Sequence, residues 1–290
     1  MANSNLTGMT INWFPGHMTK TRKQITEDLK QVDIVYELVD ARLPLSSRNP
    51  EIDKILNQKP RIVVMNKADL ADSEANKIWL DYFKSQGIKA ILVSCPKNIG
   101  LDSLANEAKA VLKDKLEARK ARGITGGGIR VMIVGIPNVG KSTLINKLCG
   151  KASTKTGDRP GVTKSKQWIT AKNGFQLLDT PGILWPKFED EAVGIKLAFS
   201  GAIRDEIMDV EELAVHLIGF LVEKYPKTLE TRYGLDDFDK LPYEVLEDLG
   251  RKRGCVISGG EVDTVRASNI LLDEFRASKL GNITLEFPGE

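Results

Sequence analysis

At 290 residues, with 41% hydrophobic and 28% charged residues, the chain has the size and composition of a globular protein large enough for two domains. No stretch approaches the roughly 18 consecutive apolar residues of a membrane span, and the first ten residues resemble neither a secretory signal nor a transit peptide. Three cysteines without CxxC spacing argue against a disulfide framework and a zinc cluster, so we expect a reduced, cytoplasmic protein.

Charge is distributed unevenly along the chain, although the net value is only +3. Residues 1–185 contain 29 basic and 17 acidic side chains, whereas residues 186–290 contain 13 basic and 22 acidic ones. An excess of positive charge suits a polyanionic partner, because neutralised phosphates release their counterions. It is equally compatible with a solvated helix surface, and composition alone does not separate the two interpretations.

The first 185 residues alternate strand-like and helix-like segments. Five short runs are apolar on both faces and rich in β-branched residues, as in a mostly parallel sheet that is flanked by helices. These runs are VDIVYELVD (32–40), RIVVMN (61–66), KAILVSC (89–95), IRVMIVG (129–135) and FQLLD (175–179). One charged helix is predicted over 101–122, before a flexible glycine-rich seam, ITGGG, at 124–128.

Beyond Trp185 the strand pattern ends, and only helical periodicity continues. The predicted helical segments are GIKLAFSG, MDVEELAVHLIGFLVEKY, YEVLEDLGRKRG and VDTVRASNILLDEFRAS. We therefore predict an α/β domain at 1–185 and an all-helical domain at 186–290. His216 has no Cys, His or acidic partner at ligand spacing, so we interpret it as a partly buried helix residue.

The strongest chemical signal is GIPNVGKS, residues 135–142, which fits the phosphate-binding pattern G-x-x-x-x-G-K-[ST]. It follows a predicted strand and opens a helix, so backbone N–H groups and the helix N-terminus face the phosphates. Lys141 is expected to reach the β- and γ-phosphates, and Ser142 to ligate Mg²⁺. The predicted nucleotide-binding residues in this segment are Asn138, Val139, Gly140, Lys141, Ser142 and Thr143.

The tetrapeptide NKAD, residues 66–69, ends the second predicted strand and favours GTP over ATP. The Asp69 carboxylate can accept two hydrogen bonds from the ring N–H and the exocyclic amine of guanine, a donor pair that adenine lacks. Asn66 is expected to contact the base edge, and Lys67 to cover the face of the base. The alternative is a helix cap after a strand, against which the neighbouring phosphate motif argues.

SCPKNIG, residues 94–100, follows the third predicted strand and resembles the loop that backs the guanine in GTPases. The backbone N–H of Cys95 is expected to meet the base oxygen, with Ser94 beside it. Pro96 has no N–H and adds no second donor, so this segment is weaker than its counterparts. By itself it is typical of an ordinary strand-to-helix turn.

DTPG, residues 179–182, follows the fifth predicted strand. Asp179 is expected to hold Mg²⁺ through a water, and the N–H of Gly182 to meet the γ-phosphate. Thr163 lies in PGVT, between this segment and the phosphate loop, and is expected to complete the Mg²⁺ shell. PGVT alone is typical of a turn before a strand. Its position between two phosphate motifs favours its interpretation as a nucleotide-dependent switch segment.

These five segments resemble the GTPase superfamily, but in a different order. In that superfamily the phosphate loop comes first and the guanine motifs last, whereas here NKAD and SCPKNIG precede GIPNVGKS. The order implies a circularly permuted P-loop GTPase domain. The old ends are joined through the ITGGG seam, and new ends open after DTPG.

The permutation suggests where His17, within WFPGHM, belongs. In an unpermuted GTPase, the DxxG segment leads into a helix and then into an apolar strand. Here the corresponding strand covers 32–42, and WFPGH introduces the helix before it. We therefore expect His17 beside DTPG, near the γ-phosphate.

The residues after DTPG sharpen this hypothesis. Many GTPases place a water-orienting Gln there, whereas this chain has Ile183 and Leu184, which cannot polarise water. The imidazole of His17 can orient a water near neutral pH. The alternative is a helix-capping or packing histidine that Trp13 and Phe14 hold.

Asn138 raises a separate possibility of potassium binding. An Asn at this point of the phosphate loop resembles potassium-activated GTPases, in which its side-chain oxygen ligates K⁺ beside the phosphates. The extra cation offsets developing charge, as an arginine finger does. The alternative is an Asn tolerated by a turn. Our predicted catalytic set is His17, Lys141 and Thr163.

WFPGHM, VDARLP (39–44), NKADL, GIPNVGKST, RPGVTK and DTPGIL together resemble the ribosome biogenesis GTPase A family, of the YlqF/RbgA type, over nearly the whole chain. The resemblance implies Mg²⁺-dependent GTP hydrolysis stimulated by the large ribosomal subunit, a role late in its assembly, and a catalytic His17. We expect a monomer with GTP, GDP and the subunit as partners and no membrane association. The alternative is a GTP-dependent RNA-binding or signalling switch not dedicated to the ribosome.

The resemblance also implies rRNA contacts aided by the C-terminal domain, which is acidic here. A local patch such as RKR (251–253) would have to make them against a repulsive background. The basic first part offers two other sites, KTRK (20–23) and KDKLEARKAR (113–122).

Overall fold

A computed structural model of the chain describes residues 18–124, 127–150, 167–180, 190–203, 205 and 208–289. The described residues form two compact units. The first comprises residues 18–180 together with Glu286–Gly289, and the second comprises residues 190–285. No helix in the described ranges is long and apolar enough to cross a membrane.

The first unit contains a six-stranded sheet with the strand order β3-β2-β1-β4-β6-β5. All neighbouring strands are parallel except β5 and β6, which are antiparallel. The strand bounds are β1 Ile34–Asp40, β2 Arg61–Asn66, β3 Ala90–Leu92, β4 Arg130–Gly135, β5 Gln167–Thr170 and β6 Gln176–Asp179. The strand before the phosphate loop, β4, is fourth along the chain and lies inside the sheet.

The register brings the sequence motifs to one edge of the sheet. Asp40 lies opposite Asn66 on β1 and β2, and Ile133 lies opposite Asp179 on β4 and β6. Because parallel strands all end at the same edge, the segments that follow β1, β2, β4 and β6 emerge together there. The carboxyl edge of a parallel sheet is where ligands bind in open α/β folds.

Helices cover both faces of this sheet. The helices of the first unit are α1 Met18–Leu29, α2 Pro50–Leu56, α3 Ser73–Ser85, α4 Leu101–Val111, α5 Lys113–Ala121 and α6 Lys141–Cys149. On one face, α1 and α2 pack against β1, β4 and β6, and α3 packs its Trp79 and Phe83 against β1 and β2. The opposite face meets α4, where the hydroxyl of Tyr36 donates to the carbonyl of Leu104 at 3.0 Å.

The second unit is helical throughout its described part. Its helices are α7 Glu191–Phe199, α8 Val210–Lys224, α9 Pro226–Tyr233, α10 Pro242–Lys252 and α11 Thr264–Arg276. Helix α8 packs against both α10 and α11. His216 is half-buried on α8, as the helical pattern predicts.

The structure differs from the sequence-based expectation in three elements. The predicted helix over 101–122 is two helices, because buried apolar residues end at Leu112 and α5 buries no side chain. Strand β5 was not predicted, since it is a short edge strand with mixed polar and apolar residues. Helix α9, which starts with a proline at its first position, was also missed.

Candidate functional site

The phosphate motif forms a tight loop between β4 and α6. Gly140, the residue before α6, has a φ of 101°, a conformation that favours glycine. A Cβ atom there would lie 2.3 Å from the side-chain nitrogen of Asn66, so a larger residue would also collide with the guanine motif. The loop therefore requires glycine here, and it leads directly into the N-terminus of α6, the end of a helix that favours an anion.

Lys141, the first residue of α6, folds back over this loop. Its Nζ donates to the carbonyl oxygens of Gly135 at 3.0 Å and Ile136 at 2.7 Å, and the residue is 7% exposed. Burial lowers the pKa of Lys141 to about 8, and the negative charge of Asp179 partly opposes that shift. A buried ammonium with a depressed pKa is poised to gain from a negatively charged ligand.

The guanine motif is bonded directly to the phosphate loop. The side-chain amide of Asn66 donates to the carbonyl of Val139 at 2.8 Å, across 73 residues of chain. The Cys95 thiol lies 3.6 Å from the side-chain oxygen of Asn66, and burial raises the pKa of Cys95 to about 11. Asn66 thus connects three predicted nucleotide segments, those that contain Cys95, Val139 and Asn66 itself.

Asp69 presents the clearest sign of a ligand. Its side chain is 8% exposed, and its Oδ1 is buried with no hydrogen-bond partner among the residues that the structure describes. Lys97 approaches the other oxygen only to 4.0 Å. Because a buried carboxylate oxygen without a donor is costly, this arrangement suits a ligand that offers N–H groups.

Lys67 is held by a residue to which the sequence assigned no role. Its Nζ forms a 3.0 Å ion pair with buried Asp40, which also binds Arg42 through two side-chain contacts of 3.0 and 2.7 Å. Burial alone would raise the pKa of Asp40, but the charges of Arg42 and Lys67 lower it well below its usual range. The available sequence signal was VDAR, in which an acid ends a fully buried strand and a base follows two residues later.

The SCPKNIG segment closes into a compact turn. Ser94 and Ile99 exchange backbone hydrogen bonds of 3.1 and 3.0 Å, and the backbone N–H of Lys97 donates to the Ser94 hydroxyl at 3.3 Å. Asn98 accepts a 3.0 Å hydrogen bond from Lys147 on α6. The turn is therefore fixed against the helix that follows the phosphate loop.

Asp179, at the end of β6, is buried within electrostatic range of Lys141. The next residue, Thr180, donates its hydroxyl to the carbonyl of Ile133 on β4 at 2.6 Å. This bond fixes the start of DTPG beside the strand that leads into the phosphate loop. A hydroxyl and a carboxylate are the hard oxygen donors that Mg²⁺ prefers, so Ser142 and Asp179 fit this ion.

Asn138, Val139, Ser142 and Thr143 occupy the loop and the first turn of α6, and Asn138 adopts a left-handed conformation with a φ of 57°. Within the described ranges, no group of three or more His, Cys, Asp or Glu side chains could hold a metal ion. Three predicted site residues lie outside the described residues: His17, Thr163 and Gly182.

Comparisons with known proteins agree with this geometry. A family model described as 50S ribosome-binding GTPase matches residues 130–252. The chain is 51% identical over 283 residues to ribosome biogenesis GTPase A of Priestia megaterium (strain DSM 319 / IMG 1521), covering 97% of this chain and 98% of the relative.

Two solved structures are similar over nearly the whole chain. The GDP-bound structure of TM YlqF has a TM-score of 0.65 and 30% identity, covering 92% of this chain and 100% of that one. GNP-bound YlqF from T. maritima has a TM-score of 0.64 and 30% identity, covering 93% of this chain and 99% of that one. Both similarities therefore include the residues of both compact units.

Proposed function

The chain belongs to the ribosome biogenesis GTPase A family, and we propose that its GTP form binds the assembling large ribosomal subunit and that hydrolysis releases it. It is a GTPase of circularly permuted α/β fold that acts in ribosome assembly. The observation that carries the guanine preference is the buried oxygen of Asp69, in the same segment as an Asn66 amide bonded to the phosphate loop.

Guanine in this proposal supplies the donors that Asp69 lacks among the described residues. Its ring N–H and exocyclic amine donate to Asp69, and the stem of Lys67 covers the face of the base while Asp40 holds the ammonium. The turn at Ser94 and Cys95 lies along the remaining edge. Adenine would leave the Asp69 carboxylate buried without a donor, which is the physical basis for rejecting ATP.

The phosphates lie along the loop that precedes α6. Lys141 exchanges the carbonyls of Gly135 and Ile136 for phosphate oxygens, which are stronger acceptors for an ammonium. Ser142 and, through a water, Asp179 would hold Mg²⁺, and Thr163 would complete its set of ligands. When bound, Mg²⁺ neutralises charge that develops on the phosphate oxygens.

His17 is the proposed group that orients the attacking water. Helix α1 is followed within five residues by β1 and packs on the sheet beside β4 and β6. Its 12 residues span about 18 Å, close to the length of a strand, so its first turn lies towards the carboxyl edge where DTPG begins. His17 directly precedes this turn, which supports a position near the γ-phosphate.

The switch is the segment that begins at DTPG. This segment continues along the chain into the helical unit. A conformational change of the segment on loss of the γ-phosphate is therefore transmitted to that unit. The proposal places this release late in assembly of the large subunit. Hydrolysis then acts as the signal that ends binding.

One experiment tests both the binding cycle and His17. Wild type and His17→Ala are pelleted with large subunits in GDP or in a non-hydrolysable GTP analogue, and GTP hydrolysis is measured with and without subunits. We expect retention only with the analogue, and loss of subunit-stimulated hydrolysis in His17→Ala. Equal retention with both nucleotides would overturn the release cycle, and full stimulated activity in the variant would return His17 to a structural role.

A further inference from the structure

Helix α5 is largely exposed to solvent and strongly basic. None of its residues is buried, and the segment 113–122 contains five basic and two acidic residues. A helix without a buried face gains little from hydrophobic packing, so another interaction must hold it on the unit. That interaction is electrostatic.

Asp33, just before β1, anchors one side of α5. It forms ion pairs of 2.8 Å with Lys115 and 2.6 Å with Arg119, and it accepts a 2.9 Å hydrogen bond from the backbone N–H of Arg130. Burial alone would raise the pKa of Asp33. The hydrogen bonds from Arg130 and Lys115 and the charges of Lys115 and Arg119 outweigh burial and lower the pKa below its usual range. Asp33 is therefore a charged anchor at neutral pH.

The other side of α5 has basic residues that this anchor does not use. Lys113 and Lys120, seven residues apart, share a face roughly opposite to that of Lys115 and Arg119. Together with Arg122, they form no ion pair with any residue that the structure describes. Three exposed positive charges thus lie along one short helix and its end.

Arg130, whose backbone N–H binds the same Asp33, also contacts an exposed aromatic ring. The guanidinium of Arg130 lies 5.9 Å from the ring centroid of Trp168, on edge strand β5. Trp168 is 41% exposed, which is unusual for a tryptophan of a folded protein. We name the surface formed by α5, Arg122, Arg130 and Trp168 the basic strip.

The α5 part of the strip lies at the edge of the sheet opposite the nucleotide, whereas Trp168 lies opposite Leu178 on β6. Asp33 precedes β1 and Arg130 begins β4, so both mark the amino edge, about 20 Å from the carboxyl edge along a six-residue strand. A partner held by the basic residues of α5 therefore leaves the phosphate loop accessible. Basal GTP hydrolysis and strip binding are expected to be separable.

In the helical unit, two of the three basic residues at 251–253 already form ion pairs. Arg251 pairs with Glu247 and Asp248 at 3.1 and 3.0 Å, and Arg253 pairs with Glu274 at 2.8 Å. Both arginines therefore already have carboxylate partners within the unit. The basic strip is the better candidate for contact with a polyanion.

We propose that the basic strip binds rRNA of the large subunit, with phosphates along Lys113, Lys120 and Arg122 and an unstacked base on Trp168. Exposed positive charge suits the RNA backbone, and an exposed ring beside a guanidinium suits a base face. An acidic protein surface would match the charges but gives no use for the ring. The proposal rests on subunit binding as the proposed function, and it names the surface responsible.

The test compares two variants of the full chain with a matched control. The charge variant is Lys113→Ala, Lys120→Ala and Arg122→Ala, and the ring variant is Trp168→Ala. The control removes three exposed lysines elsewhere on the same unit: Lys54→Ala, Lys77→Ala and Lys84→Ala. Binding to large subunits and to protein-free large-subunit rRNA is measured with the GTP analogue, at constant KCl and increasing NaCl.

We expect the charge variant to bind both probes at least about tenfold more weakly and to flatten the slope of log K against log salt by about 2. The ring variant loses about tenfold at every salt concentration with an unchanged slope, and Trp168→Phe recovers most of it. The control matches wild type, and basal hydrolysis is unchanged in all variants. That pattern supports the strip as an RNA surface.

Three outcomes would contradict the proposal in different ways. If wild type itself does not bind subunits, the proposed function fails, and the strip proposal that rests on it fails with it. If wild type binds and the charge and ring variants match it in affinity and slope, the strip is not the surface. If the variants lose subunit binding but keep rRNA binding, the partner is a ribosomal protein and the RNA assignment is wrong.

Discussion

At the scale of single residues, the nucleotide site contains two carboxylates that differ in their partners. Asp69 keeps an oxygen buried without a donor in the described part of the chain, whereas Asp40 has two cations within hydrogen-bond distance. The two carboxylates have opposite tasks. Asp40 fixes Lys67 in the protein, and we propose that Asp69 accepts hydrogen bonds from the base.

Replacing Asp69→Asn is expected to weaken GDP binding about a hundredfold, because two hydrogen bonds to a charged acceptor are lost. The amide offers a donor where guanine also offers one. Xanthine has a carbonyl at the position of the guanine amine, so xanthosine diphosphate should bind the variant better than GDP does. Competition binding measures both ligands, with Asp81→Asn on the exposed side of α3 as the control. Unchanged GDP affinity would contradict the assignment of Asp69.

Asn138 allows a test of potassium that preserves the backbone. Its φ of 57° is accessible to glycine without strain, so Asn138→Gly removes the side-chain oxygen and keeps the loop shape. We expect hydrolysis by wild type to be faster in K⁺ than in Na⁺ by about tenfold or more, and the variant to lose that difference. Rates of GTP hydrolysis measured in the two salts at equal ionic strength test this dependence on K⁺. Equal rates in wild type would remove K⁺ from the mechanism.

At the scale of elements, the helical unit is joined by a buried carboxylate. Glu274 on α11 accepts hydrogen bonds from Arg232 at 2.9 and 2.7 Å, from Tyr233 at 2.9 Å and from Arg253 at 2.8 Å. These residues belong to α9 and to the end of α10, so one side chain connects three helices. The hydrogen bonds from Arg232 lower the pKa of Glu274 to about 2 despite its burial.

This shift predicts how the helical unit responds to acid. A carboxylate with a folded-state pKa of about 2 and an ordinary value of 4.5 stabilises the fold fully above pH 4.5, and that stability is lost as pH falls towards 2. Glu274→Gln should lose about 2 kcal/mol already at pH 7, because Arg232 and Arg253 keep their charge without an acceptor anion. Its stability should then depend less on pH across this window.

Amide hydrogen exchange of α11 in the full chain, at pH 5 and pH 3 with intrinsic rates corrected, measures this effect. Glu230→Gln, at an exposed position on α9, is the matched control and should behave as wild type. If Glu274→Gln protects α11 as well as wild type does at pH 5, the carboxylate is not the element that joins these helices.

At the scale of the whole molecule, the permutation makes the helical unit an insertion in the chain of the GTP-binding unit. The chain leaves after DTPG, and Glu286–Gly289 again belong to the first unit. Glu286 accepts hydrogen bonds from the backbone N–H groups of Leu45 at 2.5 Å and Ser46 at 2.9 Å and from the Ser46 hydroxyl, and its carbonyl accepts from Trp79 at 3.1 Å.

The loop that Glu286 binds is continuous with the guanine site. Ser47 in that loop donates to the Leu43 carbonyl at 2.7 Å and accepts from the backbone N–H of Asp40 at 2.9 Å. Asp40 in turn holds Lys67. The C-terminal residues therefore support the segment that positions the guanine motif, and each end of the helical unit leads to a different part of the nucleotide site.

We expect Glu286→Ala to release GDP at least about threefold faster, because hydrogen bonds to a charged acceptor hold the loop beside Asp40. Dissociation of a fluorescent GDP analogue measures the rate. Glu261→Ala, at an exposed position in the helical unit, removes the same charge without this contact and should be neutral. Identical release from Glu286→Ala and wild type would show that the tail only closes the fold.

The sequence by itself determined the elements whose signal is local. The phosphate loop, NKAD and DTPG were recognisable because their chemistry lies in four to eight consecutive residues after an apolar strand. Five of the six strands followed from buried, β-branched runs. Edge strand β5 and the break at Leu112 did not, because a short edge strand has no clear period and a helix can end where its apolar spacing stops.

Only the tertiary structure decided which distant residues act together. Asn66 binds Val139 across 73 residues, and Ser46 binds Glu286 across 240, and neither pair has a signature in its local sequence. Burial and local partners also decided the chemistry of similar residues. Asp69 has a buried oxygen without a donor among the described residues, whereas Asp40 is paired with cations, although both aspartates lie near strand ends. A sequence gives the residue types, whereas the desolvation and partners that set their chemistry exist only once the sheet has formed.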